Sequence, residues 1–276
     1  MSGGARPDDE AGIALLAVML GLVVISILAF GVVLATKLGT EEARSDLVTS
    51  EMRAWFDAVT LRTGVALLET NADDRPRIDG VGQTIDVLGQ KVPIVVTSEF
   101  GKVDLNVSDV DTLSRLLEAA GLGPATAAGE AYAIGRWRSG NGTGNARVFR
   151  ISDKLLQVPG MTEELYDRIA SSVTVYSGRG RVDQSVAPLL ALQSIDGVDR
   201  LTAEGIVRDR ETDQGNQTGE VIGGRLAPGI NITSWAFRME ADLVLGMRRE
   251  HATMVIRMTG NPERPYLVLW REEVPE

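Results

Sequence analysis

The hydrophobic pattern of this chain opens with an unbroken apolar run. Residues 13–36 carry no charge. Wound as a helix they extend about 36 Å, enough to cross the ~30 Å hydrocarbon layer of a bilayer with some tilt. A secretory signal has a shorter apolar region, and a buried core helix of this length would show a polar stripe. The run therefore reads as a transmembrane helix. Arg6 faces Asp8, Asp9 and Glu10 before it, and Lys37 and Arg44 follow it, so counting Lys and Arg does not orient the span.

Helical periodicity continues beyond the span. Val48, Met52, Trp55, Val59 and Ala66 recur on one face, widened by Phe56 and Leu67, while Glu41, Glu42, Arg44, Glu51 and Arg62 occupy others. A stripe with this much aromatic area must be buried against something, and a sheet from the rest of the chain is the natural cover. Asn71 to Pro76 supplies the stop.

Period-two alternation then takes over. Ile85 and Val87 precede Gly89-Gln90, and Val92, Ile94 and Val96 follow, giving a hairpin; Val103 and Leu105 suggest a third strand. Far downstream, Trp235, Phe237, Met239, Ala241, Leu243 and Leu245 alternate with Arg238, Glu240 and Asp242. Ala252, Met254, Ile256 and Met258 repeat the pattern, and Tyr266, Val268 and Trp270 close it after Gly260-Asn261-Pro262. These read as an antiparallel meander, joined with the first strands in one sheet on the long helix.

Between the two strand groups the pattern is helical. Leu113, Leu116, Leu117 and Ala120 form one stripe. Leu155, Leu156, Leu165 and Ile169 surround the turn Val158 to Met161, and a second leucine-rich stretch from Leu189 to Val207 surrounds Asp196-Gly197-Val198. Each of the last two resembles a helix-hairpin-helix unit, whose turn can offer backbone N–H groups to phosphate. The expected class is α+β: a long N-terminal helix, membrane-spanning in its first half, on an antiparallel sheet, with a large α-helical insertion. Its parts are residues 1–12 (leader), 13–36 (span), 37–70 (continuation of the helix), 71–107 and 228–276 (two parts of the sheet) and 108–227 (insertion).

Composition narrows the function. A net charge of −10 opposes binding driven by phosphate neutralisation. No cysteine and a single histidine, His251, remove thiolate chemistry, disulfides and His-pair metal sites. Gly140 to Gly144 lacks the Lys-Ser/Thr of a phosphate loop and reads as a surface loop. His251 falls on the wet face of a strand. No catalytic constellation is present, and the chain is not expected to be an enzyme.

Several segments, in order, carry a resemblance: Gly12 followed by Ile13-Ala14-Leu15-Leu16; Gly101-Lys102-Val103-Asp104-Leu105-Asn106; Leu155 to Tyr166 with its Val158-Pro159-Gly160-Met161 turn; Thr174-Val175-Tyr176-Ser177; and Ala187-Pro188 with the leucines after it. Together these resemble the minor pseudopilin K family of the type II secretion system. The resemblance implies cleavage by prepilin peptidase between Gly12 and Ile13, N-methylation of Ile13, and a single-pass inner-membrane protein with its bulk in the periplasm. It implies a structural role, capping and helping to initiate the pseudopilus tip, with the minor pseudopilins I and J as partners. The glutamate usual at the fifth mature position is replaced by Ala17, in keeping with a subunit that has no neighbour ahead of it. Val48, Met52, Trp55 and Val59 would be the helix stripe shared with partners. Some members of that family look calcium-loaded, but Gly135 to Gly142 here offers Arg136 and Arg138 where acidic residues are usual, so no cofactor is certain, calcium rests on the resemblance alone, and no metal ligands are assigned. The leader departs too, being acidic before Gly12.

A membrane-anchored DNA receptor of the competence type also combines one span with hairpin units. Against it, Pro159-Gly160-Met161-Thr162 has one glycine where two are usual. Asp153, Glu163, Glu164 and Asp167 offset the bases of the first unit, and Asp196, Asp199, Glu204 and Asp209 those of the second. No nucleic-acid partner is expected.

Overall fold

The computed structural model describes residues 47–140, 147–211, 220–245, 248–261 and 263–272. Leader, apolar run, Gly12, Ile13 and Ala17 lie outside them. The chain divides into two units, Met1–Arg53 with Pro275–Glu276, and Ala54–Val274. Within the described residues, helix α1 covers 47–66. It is followed by β1 (Gln83–Val87), β2 (Gln90–Ser98), β3 (Val103–Asp104), α2 (Val110–Ala119), α3 (Pro124–Arg138), α4 (Glu163–Ile169), β4 (Val173–Thr174), α5 (Leu189–Gln193), α6 (Arg200–Glu211), β5 (Val221–Ile222), β6 (Arg225–Leu226), β7 (Ala236–Leu245), β8 (Arg248–Asn261) and β9 (Arg264–Arg271).

Five of these strands form one antiparallel sheet in the order β1-β2-β7-β8-β9. Ile94 stands opposite Ala241, Val96 opposite Met239 and Ser98 opposite Phe237, so strands far apart in sequence are direct partners. The expected single sheet is thus formed, and the helical segment leaves and re-enters through adjacent strands. Closing so long an excursion costs only logarithmically more than closing a short one.

Val92, Ile94, Val96, Met239, Ala241, Leu243, Ala252, Met254 and Ile256 make the buried face. The C-terminal part of α1 lies on it. A Cβ added at Gly64 would sit 3.1 Å from Tyr266 Cδ1, so the missing side chain lets the helix approach β9 closely. Asp57 pairs with Arg271, and Trp55 shares a small pocket with Val92, Pro93 and Leu243. The opposite face is less wet than alternation predicts. Thr253 and Val255 are buried as well, because Tyr176 of the insertion packs with Ala236 and Val255, and Trp270 flanks them.

One expected strand is elsewhere. Val103 and Leu105 do not extend the sheet; β3 pairs in parallel with β4, Val103 opposite Val173 and Asp104 opposite Thr174. The cause is local. Ser98 Oγ accepts from Phe100 N and turns the chain into a single 3-10 turn, Glu99–Gly101, which carries it off the sheet. Val103 and Leu105 then join the insertion's core with Leu113, Leu116, Leu117, Ile134, Phe149, Leu155 and Leu192. That core is separate from the sheet's, and Trp137 stacks on Phe149 inside it at 4.2 Å between centroids.

The two hairpin units share one hydrogen-bond plan. Val158 N bonds to Leu155 O and Met161 N to Val158 O; Ile195 N bonds to Leu192 O and Val198 N to Ile195 O. Gly160 and Gly197 take the left-handed conformation at equivalent places. Thr162 then caps α4 at Leu165 N, and Asp199 accepts from Thr202 N in α6. The first unit opens on a 3-10 turn, Ser152–Gln157, in place of an α-helix.

Candidate functional site

Three of the segments that carry the family resemblance, Gly101 to Asn106, Thr174 to Ser177 and Ala187-Pro188, meet at one place, the junction between sheet and insertion. Lys102 Nζ lies 2.8 Å from Glu99 Oε1, and Arg238 Nε of β7 lies 3.3 Å from the same oxygen. Glu99 has no solvent exposure and Lys102 has 3%. Burial pushes the Glu99 carboxyl up, but Lys102 and Arg238 beside it outweigh burial and hold it below the ordinary glutamate value. Burial lowers Lys102, and Glu99 only partly restores it.

Each further position of Gly101 to Asn106 has its own task. A Cβ on Gly101 would meet Val186 O at 2.7 Å and Ala187 Cα at 2.9 Å, so only glycine lets the segment before Pro188 cross there. Buried Asp104 accepts from Ser177 Oγ at 3.0 Å, Gly178 N at 2.8 Å and Asn106 N at 2.8 Å. Asn106 exchanges two hydrogen bonds with the backbone of Phe149. Arg138 Nη1 donates to Leu105 O and Ser108 O. Thr174, Tyr176 and Ser177 meet the motif from the far side. Asp104, Asn106 and Arg138 thus have partners inside the junction, and only Glu99 Oε2 among the clamp's carboxylate oxygens is buried without a hydrogen bond, an arrangement that suits a structural clamp.

A cleft of about 490 Å³ opens beside the clamp, between Thr97, Arg238, Glu240 and Trp270 of the sheet and Asp153, Tyr166, Tyr176 and Pro188 of the insertion. Arg238 lies over the Trp270 ring at 5.7 Å. Tyr166 donates to Asp153 at 2.6 Å, and burial, helped by that carboxylate, pushes its hydroxyl up to about 12. Burial does the same to Tyr176. Neither phenol ionises near neutral pH, and the walls hold no nucleophile paired with a base.

The hairpin turns are poorly suited to phosphate. The Glu130 carboxylate of α3 lies over Gly160, within 2.0 Å of where a Cβ would stand. Gly197 is open, but Asp196 and Asp199 flank it. No group of three or more acidic or histidine side chains among the described residues is placed to hold a metal ion. Around Trp137, whose ring is in the core, Arg138 is bonded to Leu105 O and Ser108 O, and residues 141–146 lie outside the described residues. His251 is exposed, 3.0 Å from Asp242.

Of the expected helix stripe, Met52 and Val59 are buried at 1% and 2% exposure, and Val48 and Trp55 are half-buried. Trp55 and Val59 sit on or beside the face of α1 turned toward the sheet. The opposite face carries a second apolar stripe that the sequence reading did not single out: Ala54, Leu61 at 50%, Val65 at 43% and Leu68 at 49%, with Ala58 half-buried. Leu47, Ala54, Leu61 and Leu68 fall one heptad apart, and that spacing was the available signal. No helix among the described residues is long and apolar enough to cross a membrane.

No family model matches this sequence, and no curated protein matches it. Among solved structures, the chain is similar in fold to a chain of the GspK-GspI-GspJ complex from the type 2 secretion system of enterotoxigenic Escherichia coli. The TM-score is 0.52 at 11% identity, over 85% of this chain and 99% of that one. At that identity the likeness is one of fold.

Proposed function

We propose that this chain is a minor pseudopilin of the type II secretion system, of the K type. In this reading it is a structural, non-enzymatic subunit held in the inner membrane by residues 13–36, with its bulk in the periplasm. It caps and helps initiate the pseudopilus tip and gathers the minor pseudopilins I and J. The observation that carries the reading is one sheet interrupted by a clamped helical head, matched in fold across nearly the whole of the compared chain. The DNA-receptor alternative is not favoured, since Glu130 occupies one hairpin turn and aspartates flank the other.

Partners would meet α1 on its outward face. Ala54, Ala58, Leu61, Val65 and Leu68 have the spacing of a helix–helix seam, and the two alanines permit close approach. Val59 is buried, and Met52 is 1% exposed. Co-expression with pseudopilins I and J, followed by purification through a tag on this chain, should recover all three. Recovery of this chain alone would count against the assignment.

Processing gives a second test. The mature protein should begin at Ile13, and Gly12→Leu should block cleavage, because the peptidase must admit a residue without a side chain. Intact mass of the membrane-extracted protein decides: a Met1 start in cells with active prepilin peptidase would refute it.

A further inference from the structure

We infer that the cleft between sheet and insertion is a binding site for a free α-carboxylate, that of an amino acid or of the C-terminal end of a peptide. The site stands whether or not the chain is a pseudopilin. Its volume of about 490 Å³ falls inside the roughly 300–1,000 Å³ of small-ligand sites. Two cations line it. Arg238 Nε and Lys102 Nζ share one oxygen of Glu99, so two positive charges face one negative charge and one positive charge is left over. Neither cation spends all its donors there. Lys102 gives a single N–H to Glu99, and among the described residues nothing accepts from Nη1 or Nη2 of Arg238. The guanidinium carbon lies 5.7 Å from the centre of the Trp270 ring, and the side chain is only 22% exposed. A half-buried guanidinium, anchored through Nε with both Nη groups open, is the fork that takes a carboxylate by two parallel hydrogen bonds.

Tyr176 adds a neutral donor. It is 9% exposed and packs on Ala236 and Val255, yet its hydroxyl has no hydrogen-bond partner among the described residues and is not sealed from the cleft it lines. Burial keeps that phenol protonated, and the charges of Arg238, Glu99 and Asp153 all reach it. Buried donors without partners are costly, so three of them around one cleft call for an acceptor. The walls decide which acceptor. Asp153 and Glu240 line the cleft, and Glu240, two positions beyond Arg238 on the same face of β7, makes no ion pair among the described residues. A dianion such as phosphate would meet two carboxylates and one uncompensated cation. A carboxylate brings the single charge that the site can balance, and an amino group on the same ligand would find Glu240 or Asp153. Ile151, Val186 and Pro188 supply an apolar stretch of wall for a side chain. Carboxylate, amine and apolar group together describe an amino acid or a short peptide.

Isothermal titration calorimetry of the full-length chain in detergent micelles compares four probes: the tripeptide Ala-Ala-Leu, its C-terminal amide, free leucine and inorganic phosphate. The tripeptide should bind, and its amide should bind roughly tenfold or more weakly, the loss expected when a charge-assisted hydrogen-bonded pair is removed. Leucine binding as tightly as the tripeptide supports the carboxylate site and makes a free amino acid its occupant; tighter binding of the tripeptide supports it and makes the peptide end its occupant. Arg238→Lys keeps a cation beside Glu99 and removes the fork, while Tyr176→Phe removes a hydroxyl and keeps the ring. Each should weaken the tripeptide by about threefold or more, with the melting temperature of Tyr176→Phe nearly unchanged. Equal heats from acid and amide, or no heat from either, overturn the inference. Phosphate binding more tightly than the tripeptide overturns the choice of a carboxylate. Tripeptide affinity unchanged in both variants puts the binding outside the cleft and overturns the site.

Discussion

Glu99 has no contact with solvent and two cations on one of its oxygens, so its stability depends on staying ionised. Its folded-state pKa is depressed, and its contribution is therefore fully present above the ordinary glutamate value and lost as pH falls through the depressed one. Glu99→Gln leaves Lys102 buried with no carboxylate and should cost about 3–5 kcal/mol at neutral pH. Urea melts from pH 7 to pH 3 should show the variant losing less stability than the parent on acidification; parallel curves would refute the assignment. Gly101→Ala tests the same clamp by shape, since its Cβ would lie 2.7 Å from Val186 O. Marked destabilisation with unchanged secondary structure is expected in circular-dichroism melts. Sequence reading could quote Gly101 to Asn106 as a motif but could not assign its tasks. The partners of Asp104 lie at Ser177 and Gly178, and those of Asn106 at Phe149, distant in sequence and joined only by the fold.

At the scale of elements, α1 shows what periodicity reveals and what it hides. The inward stripe was legible because Met52, Phe56, Val59 and Leu67 repeat at helical spacing and are large. The outward stripe alternates alanine with leucine and valine and reads as ordinary helix until exposure is known. The two faces predict opposite outcomes. Phe56→Ala should cost about 3–5 kcal/mol through the cavity it leaves. Leu61→Arg, half-exposed, should leave the melting temperature nearly unchanged yet abolish co-purification with pseudopilins I and J. Retention of the complex by Leu61→Arg would place the partner contact elsewhere. The strands divided in the same way. Six alternating apolar positions located β7 correctly, whereas two such positions at Val103 and Leu105 were too few to tell a sheet strand from a bridge into the insertion's core.

For the whole molecule, the question is how far the insertion and the sheet depend on each other. The insertion has its own core, and the sheet's helix-facing side is filled without it. Yet connections cross between them, among them Arg257 donating to Tyr176 O, Tyr176 packed over Ala236 and Val255, and the hairpin β5–β6, whose Gly224 O accepts from Ile78 N. Removing residues 108–219 in favour of a short Gly/Ser linker keeps the β5–β6 hairpin and the Glu99–Arg238 pair and loses both contacts of Tyr176. It also strips Val103 and Leu105 of their apolar neighbours. The shortened chain should therefore keep its strand content and unfold cooperatively, but at a lower temperature than the parent. Restoring solubility by Val103→Ser and Leu105→Ser should not lower it further, because in the shortened chain those side chains no longer have a core to fill. Circular dichroism and calorimetry of both shortened chains test the independence of the sheet. Loss of all strand signal would mean that the clamp builds the sheet as well as carrying the head, and that the insertion is part of one folding unit with the strands it interrupts.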